Sequence, residues 1–302
     1  MKRRQFVTGA TATGLSLVGG AAGQAQEQEQ AGAATPQAGE TMTQAGVESG
    51  YAPVNGLQMY YEIHGDADAD LPPLLLLHGG FLSIATSFGQ MLPVLAEQRQ
   101  VIAVEQQGHG HTADIDRPLT FEQEADDTAA ALEYLGIVQV DVFGYSDGGN
   151  VALGLAIRHP ELVRKVAIAG VNITNDDLIP GLYEFMAEMT PEQLGDELRT
   201  MYEAEAPRPE DWPVLVEKIK QQVVALEGWT PEQLQGITAP TLVIVGDADI
   251  IPPERAVATF RQFPNAHLAV LPMRDHIALG TQPAWMLSML EEFYAAPMPE
   301  PE

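Results

Sequence analysis

The chain has 302 residues, with 15 Lys and Arg against 42 Asp and Glu, a formal charge of −27 and no cysteine. Such an acidic surface repels nucleic acid and anionic membranes, and the missing cysteine excludes disulfides, thiolate nucleophiles and Cys-based metal sites. The acid excess also raises a saline habitat as an expectation, because salt relieves self-repulsion.

The chain starts Met1-Lys-Arg-Arg-Gln-Phe-Val7 and continues through small and apolar residues to Ala22, before Gly23-Gln24-Ala25. A basic start, a modest apolar stretch and a small-residue cleavage site predict a removed export signal over 1–25. Arg3-Arg4 resembles a twin-arginine signal, which sends folded protein to the periplasm; secretion is the alternative destination. The apolar stretch is too short and glycine-rich to span a bilayer comfortably, so no integral membrane association is expected after its removal. Residues 26–50 lack periodicity and predict a flexible tether.

Two segments, 51–171 and 237–297, carry the strand and helix signals of one large α/β domain. Asn55-Gly56 is a two-residue turn signal inside Tyr51–His64 and predicts an antiparallel hairpin. The apolar run Leu74-Leu-Leu-Leu77 fits a strand buried on both faces, as in a parallel sheet. Behind it, the glycines of His78-Gly79-Gly80-Phe81 free backbone N–H groups to point into a site, a simple tight turn being the alternative. A helix is expected over Phe88–Glu97, a strand over Val101–Val104, and a polar turn over Glu105–Thr112. His109 and His111 alternate in that turn and read as hydrogen-bonding loop residues, so no metal is expected there. Thr120 can cap a helix over Phe121–Leu135, with Gly136 as its stop.

Val138 to Pro160 reads as a strand, a sharp turn and a helix, with Ser146 at the apex between Gly144 and Gly148. Glycines in those places let strand and helix approach closely while the serine backbone takes a conformation that Cβ-bearing residues avoid. The serine hydroxyl is thereby presented at the C-terminal sheet edge beside a helix N-terminus, the geometry of a nucleophile; an ordinary turn is the bland alternative. Val163–Ala169 is the next strand, and the repeated strand-then-helix order predicts a mostly parallel sheet with helices on both faces. Residues 172–236 show helical periodicity and no strand, which predicts an inserted helical cap whose Met, Trp212 and Trp229 side chains are mainly core. Further strands are expected up to Gly246 and over His267–Leu271, with helices over Pro253–Phe263 and Gln282–Tyr294.

A serine hydroxyl needs an imidazole to take its proton, and the imidazole needs a carboxylate to fix its tautomer. On this kind of turn the acid and then the histidine follow on loops after later strands. Asp249 and His276 satisfy that order. Asp247 competes but sits where it would cap the turn, and Asp176 and Asp177 are weaker candidates. His267 begins a strand and His78 precedes the serine, so both fit the base less well. The negative oxygen formed in acyl transfer needs two backbone donors, expected from Gly80 and Asp147. Phe81, Tyr145 and the Asp147 side chain are candidate substrate contacts.

Leu74-Leu-Leu-Leu-His-Gly-Gly80, Gln107-Gly-His-Gly-His-Thr112, Gly144-Tyr-Ser-Asp-Gly-Gly149, Gly246-Asp-Ala-Asp249 and Asp275-His276 together resemble the α/β-hydrolase superfamily, in its capped, esterase-like branch. The resemblance covers roughly 52–296 and implies an α/β-hydrolase fold: a mostly parallel eight-stranded sheet with helices on both faces and an inserted helical cap. It implies Ser146 as nucleophile, Asp249 as acid, His276 as base, the Gly80 and Asp147 amides as oxyanion donors, and cleavage of a small carboxylic ester through an acyl-enzyme without a cofactor. Amide, lactone and carbon-carbon hydrolysis by the same residues, and a non-catalytic binding role, are the alternatives. The Ser146-Asp147-Gly-Gly version is also similar to valacyclovir hydrolase-like enzymes, in which the neighbouring aspartate helps select amino-bearing acyl groups. Glu105 and Asp275 depart from the family's usual Asp and Gly.

Overall fold

The computed structural model describes residues 42–44 and 46–299. The expected export signal and most of the expected tether lie outside them. The strands, in chain order, are β1 (Met42–Gln44), β2 (Val47–Val54), β3 (Leu57–His64), β4 (Leu74–Leu77), β5 (Val101–Val104), β6 (Val140–Tyr145), β7 (Val163–Ala169), β8 (Thr241–Gly246) and β9 (Ala266–Leu271). They form one sheet in the order β1-β2-β3-β5-β4-β6-β7-β8-β9, antiparallel as far as the β3–β5 pair and parallel from β5 onward. Eight of these strands are the expected ones; β1 is a three-residue addition at the edge. Pairing therefore begins inside the segment read as tether, because Val47–Val54 matches β3 residue for residue from Val47↔His64 to Val54↔Leu57. Asn55 and Gly56, at φ 47° and 89°, make the tight hairpin that sets this register.

The helices are α1 (Ile84–Phe88), α2 (Leu92–Leu95), α3 (Phe121–Tyr134), α4 (Asp147–Arg158), α5 (Leu182–Glu188), α6 (Gly195–Glu205), α7 (Trp212–Ala225), α8 (Pro231–Gln235), α9 (Pro253–Phe260), α10 (His276–Thr281) and α11 (Ala284–Ala295). Because side chains alternate along a strand, Leu75 and Leu77 pack with α3, α4 and α9, while Leu74 and Leu76 pack with α1, α2, α10 and α11. Both faces of β4 are thus buried, which explains its unbroken leucine run. The expected helix over Phe88–Glu97 is instead the pair α1 and α2, divided at Gly89 and restarted with Pro93 in the first turn of α2.

Between β7 and β8 the described chain holds α5 to α8 and no strand. This cap has its own core: Met189, Tyr202, Trp212, Leu215, Val216 and Ile219 are buried together, with Phe81 of the β4 loop packed against them. Lys218 fastens the cap to the body, donating to both oxygens of Asp114 at 2.8 and 2.7 Å and to the carbonyls of Ile115 and Arg117. The sheet order reverses at β4, whose neighbours are β5 and β6. The loops after β4 and β6 leave the C-terminal edge in opposite directions there, opening the crevice where ligands bind in such sheets.

Candidate active site

Ser146 follows β6 and precedes α4, with φ 52° and ψ −123°. Its N–H donates to Ala169 O at 2.9 Å, and its carbonyl accepts from Gly149 N at 2.8 Å, so both neighbours hold the strained turn. The flanking glycines are demanded by packing: a Cβ on Gly144 would lie 2.3 Å from Gly148 O, and one on Gly148 would lie 2.1 Å from Leu77 O.

His276 opens α10, which Asp275 caps by accepting from Ala278 N at 2.8 Å. Its Nδ1 lies 2.8 Å from Asp249 Oδ1 and its Nε2 lies 3.0 Å from Ser146 Oγ. An ionised carboxylate only accepts, so Nδ1 carries the proton and Nε2 is left to receive one from the serine. Asp249 is held in turn by the N–H of Ile251 at 3.3 Å, and its side chain is fully buried. The three groups placed together by sequence order are therefore hydrogen-bonded in series. Asp247 instead accepts from Arg274 N at 3.3 Å, and Asp177 from the N–H groups of Ile173 and Thr174, so both serve their own turns. His267 is exposed on β9.

The loop after β4 is fixed by His78, whose Nε2 accepts from Gln106 N at 3.0 Å and whose Nδ1 reaches Gly79 O at 2.9 Å. Burial lowers the His78 pKa, which keeps the ring neutral in that dual role. The backbone N–H groups of Gly80 and Asp147 donate to no acceptor within the described protein. The Asp147 carboxylate lies against Gly80, where a Cβ would come 2.2 Å from Oδ2. Burial pushes Asp147 up to about 6, with His276 opposing.

Of the expected substrate contacts, Phe81 reaches the cap, its ring 5.7 Å from Trp212. Tyr145 does something else: it is 3% exposed and donates its hydroxyl to His276 O at 2.8 Å, so it holds the histidine rather than a ligand. Two participants escaped the sequence reading. Gly170, at φ 63°, makes room for the His276 ring, since a Cβ there would lie 2.9 Å from Nδ1. Glu124 on α3 is buried, pushed up to about 8 by burial and then by the Asp147 charge, and accepts from Gln222 of α7 at 2.8 Å. Gly170 ends an apolar strand and could have been flagged as a positive-φ position; Glu124 looked like any polar helix residue.

The family profile described as "Alpha/beta hydrolase family" matches residues 74–295. The chain belongs to this family. Among relatives of this α/β hydrolase, "Serine hydrolase BPHL" of Mus musculus is 29% identical over 242 residues, covering 76% of this chain and 80% of its own. Among solved structures, a meta-cleavage product hydrolase from Pseudomonas fluorescens IP01 shares 22% identity with a TM-score of 0.66, over 82% of this chain and 96% of that one. The enol-lactonase from Burkholderia xenovorans LB400 gives 22% and 0.64, over 82% and 100%. The protein is an α/β-hydrolase-fold enzyme of the serine-hydrolase kind, acting on small organic molecules.

Proposed function

We propose that the protein hydrolyses an acyl bond of a small organic substrate through an acyl-enzyme on Ser146. The supporting observation is the continuous series from Ser146 Oγ through the His276 ring to Asp249, with separations of 3.0 and 2.8 Å. The Ser146 oxygen bonds to the substrate carbonyl carbon while its proton passes to His276 Nε2. The carbonyl electrons move onto oxygen, facing the Gly80 and Asp147 N–H groups. Collapse breaks the bond to the leaving group, which takes the proton from His276. Water then repeats the sequence, giving its proton to the imidazole and releasing the acid.

A carboxylic ester is the bond expected from the sequence. The names of the relatives favour a broader reading, since a meta-cleavage product hydrolase and an enol-lactonase share the fold; carbon-carbon, lactone and amide bonds are therefore equal members of the proposal. An ammonium on the acyl group would pair with Asp147, which is the valacyclovir hydrolase-like form of the same idea. Rates on p-nitrophenyl acyl esters, an aminoacyl ester, a lactone, an anilide and a vinylogous diketone rank these bonds. Ser146→Ala should lower every one of them by on the order of 10⁴-fold or more and abolish labelling by an organophosphonate; undiminished labelling removes Ser146 from the scheme. Export to the periplasm under the Arg3-Arg4 segment is part of the proposal, and N-terminal sequencing of the mature protein tests it.

A further inference from the structure

The loop after β5 holds an arrangement that the Ser146 chemistry does not use. Glu105 follows the strand, His111 lies in the polar loop, and Glu205 is the last residue of cap helix α6. One ligand atom from each, an imidazole nitrogen and two carboxylate oxygens, all lie within 4.8 Å of one another. Two segments remote in sequence, the loop after β5 and the end of α6, thus converge on one point between body and cap.

The parts are held in place before any ligand arrives. Glu105 is 1% exposed; its Oε1 accepts from Ile84 N at 3.3 Å, and its Oε2 accepts from His111 N at 2.5 Å and lies 3.0 Å from His111 Nδ1. Gly110, at φ 50°, lets the loop close over this carboxylate, since a Cβ there would sit 2.3 Å from its oxygens. The His111 ring is tilted over Tyr60 with centroids 4.3 Å apart, which fixes its plane. Two donor atoms 3.0 Å apart subtend roughly a right angle at an ion about 2.1 Å from each, the bond length of a zinc-type cation to nitrogen or carboxylate oxygen.

The local charge points the same way. Glu62 adds a third carboxylate beside the cluster, engaged by Tyr60 OH at 3.1 Å and His64 Nε2 at 2.8 Å. Among the described residues no Lys or Arg forms an ion pair with Glu62, Glu105 or Glu205. Carboxylates crowded without a fixed cation are stabilised by a bound one, and one imidazole with two carboxylates suits Zn²⁺, Mn²⁺ or Co²⁺ better than an all-oxygen ion.

We propose that Glu105, His111 and Glu205 form a binding site for one divalent transition-metal ion of the zinc class, which clamps cap helix α6 to the β5 loop. Glu105 also holds the N–H of Ile84, next to Ser83 at the end of the loop bearing Gly80, so the clamp stiffens the entrance side of the active site. The metal is structural here: it takes no part in the Ser146 steps.

The test titrates chelator-stripped full-length protein with Zn²⁺ by calorimetry and follows thermal unfolding with and without the ion. One equivalent should bind, and the unfolding temperature should rise with Zn²⁺ concentration. Glu205→Ala and His111→Ala should each weaken binding by on the order of tenfold or more, with unchanged far-ultraviolet circular dichroism. Glu203→Ala, on the exposed part of the same helix, should bind as the unchanged protein does. Absence of one-equivalent binding, or ligand variants that bind as tightly as the unchanged protein, overturns the proposal. So does an unfolding temperature that responds to pH around this cluster but never to Zn²⁺, which would make protons its sole occupants.

Discussion

Ser146 occupies a backbone region that costs a non-glycine residue on the order of 1–3 kcal/mol, and the bonds to Ala169 and Gly149 hold it there. The return is a hydroxyl aimed at His276 Nε2 with no atom of its own backbone in the way. Gly170 serves the same alignment from the other side. Gly170→Ala sets a methyl 2.9 Å from the ring, so the imidazole must move and kcat should fall by on the order of 10²-fold. Single-turnover kinetics would show this as a slowed acylation step with normal substrate binding; an unchanged rate means that the ring has slack. Asp147 offers a pH test. Its carboxyl, raised to about 6 by burial, is neutral at low pH and charged above that value, beside the Gly80 N–H that faces the developing oxyanion. A charge there opposes the oxyanion. On a neutral ester the ratio of Asp147→Asn to unchanged kcat/KM should be near one in acid and climb through pH 6 by on the order of tenfold. A ratio independent of pH would mean that the carboxylate is screened from the reacting oxygen.

At the scale of elements, β4 and α4 touch through Gly148 with nothing between them. Gly148→Ala drives a Cβ to 2.1 Å from Leu77 O and 2.4 Å from His78 O, backbone atoms that cannot rotate away. A loss of about 3 kcal/mol or more is expected in urea unfolding, and a loss under 1 kcal/mol would show that the pair can separate freely. Helix α3 carries the complementary case. Glu124 is raised to about 8, so folding favours its protonated form: its stabilising contribution is full below the ordinary carboxyl range and is lost as pH rises toward 8. Glu124→Gln should therefore gain stability over the unchanged protein with rising pH, by up to about 1.4 kcal/mol per unit between the two values. Parallel denaturant curves at pH 5 and 8.5 measure it, and an equal difference at both pH values refutes the assignment. The sequence told elements apart where burial dictated composition: Val101–Val104 and Val163–Ala169 stand at the boundaries read from their apolar runs, because both faces of each strand are covered. It was mute where punctuation decided. Pro191 and Gly195 divide the cap's first helical stretch into α5, a short 3-10 turn and α6. α10 is six residues long, too short to show a period, though Asp275 capping Ala278 left a faint signal. Ser146, Asp249 and His276 were legible because the turn and the strand ends fix where such residues must fall. Glu105, His111 and Glu205 were not, since no spacing along the chain reports that a cap helix ends over the β5 loop.

The molecule as a whole carries −27 charges, and its interior ion pairs answer to different physics from its surface. Asp141 is buried between Arg99 and Arg164, and Lys218 lies in a ring of oxygens under the cap; both are shielded from the solvent. Mobile ions reach such pairs poorly, so salt weakens them little. The remaining acids, mostly at the surface, repel one another across the compact state and are pushed further apart on unfolding. Screening therefore acts mainly on the unfavourable part of the electrostatics. Raising NaCl shortens the screening length from about 30 Å at 0.01 M to about 3 Å at 1 M, so the unfolding temperature should climb over that whole range and not fall at its upper end. Differential scanning calorimetry at constant pH, with chelator present to keep divalent ions out, separates this effect from the metal clamp. A curve flat from low to molar salt would mean that the surface acids are spaced too widely to repel, and would remove the physical ground for reading the acidity as adaptation to a saline habitat.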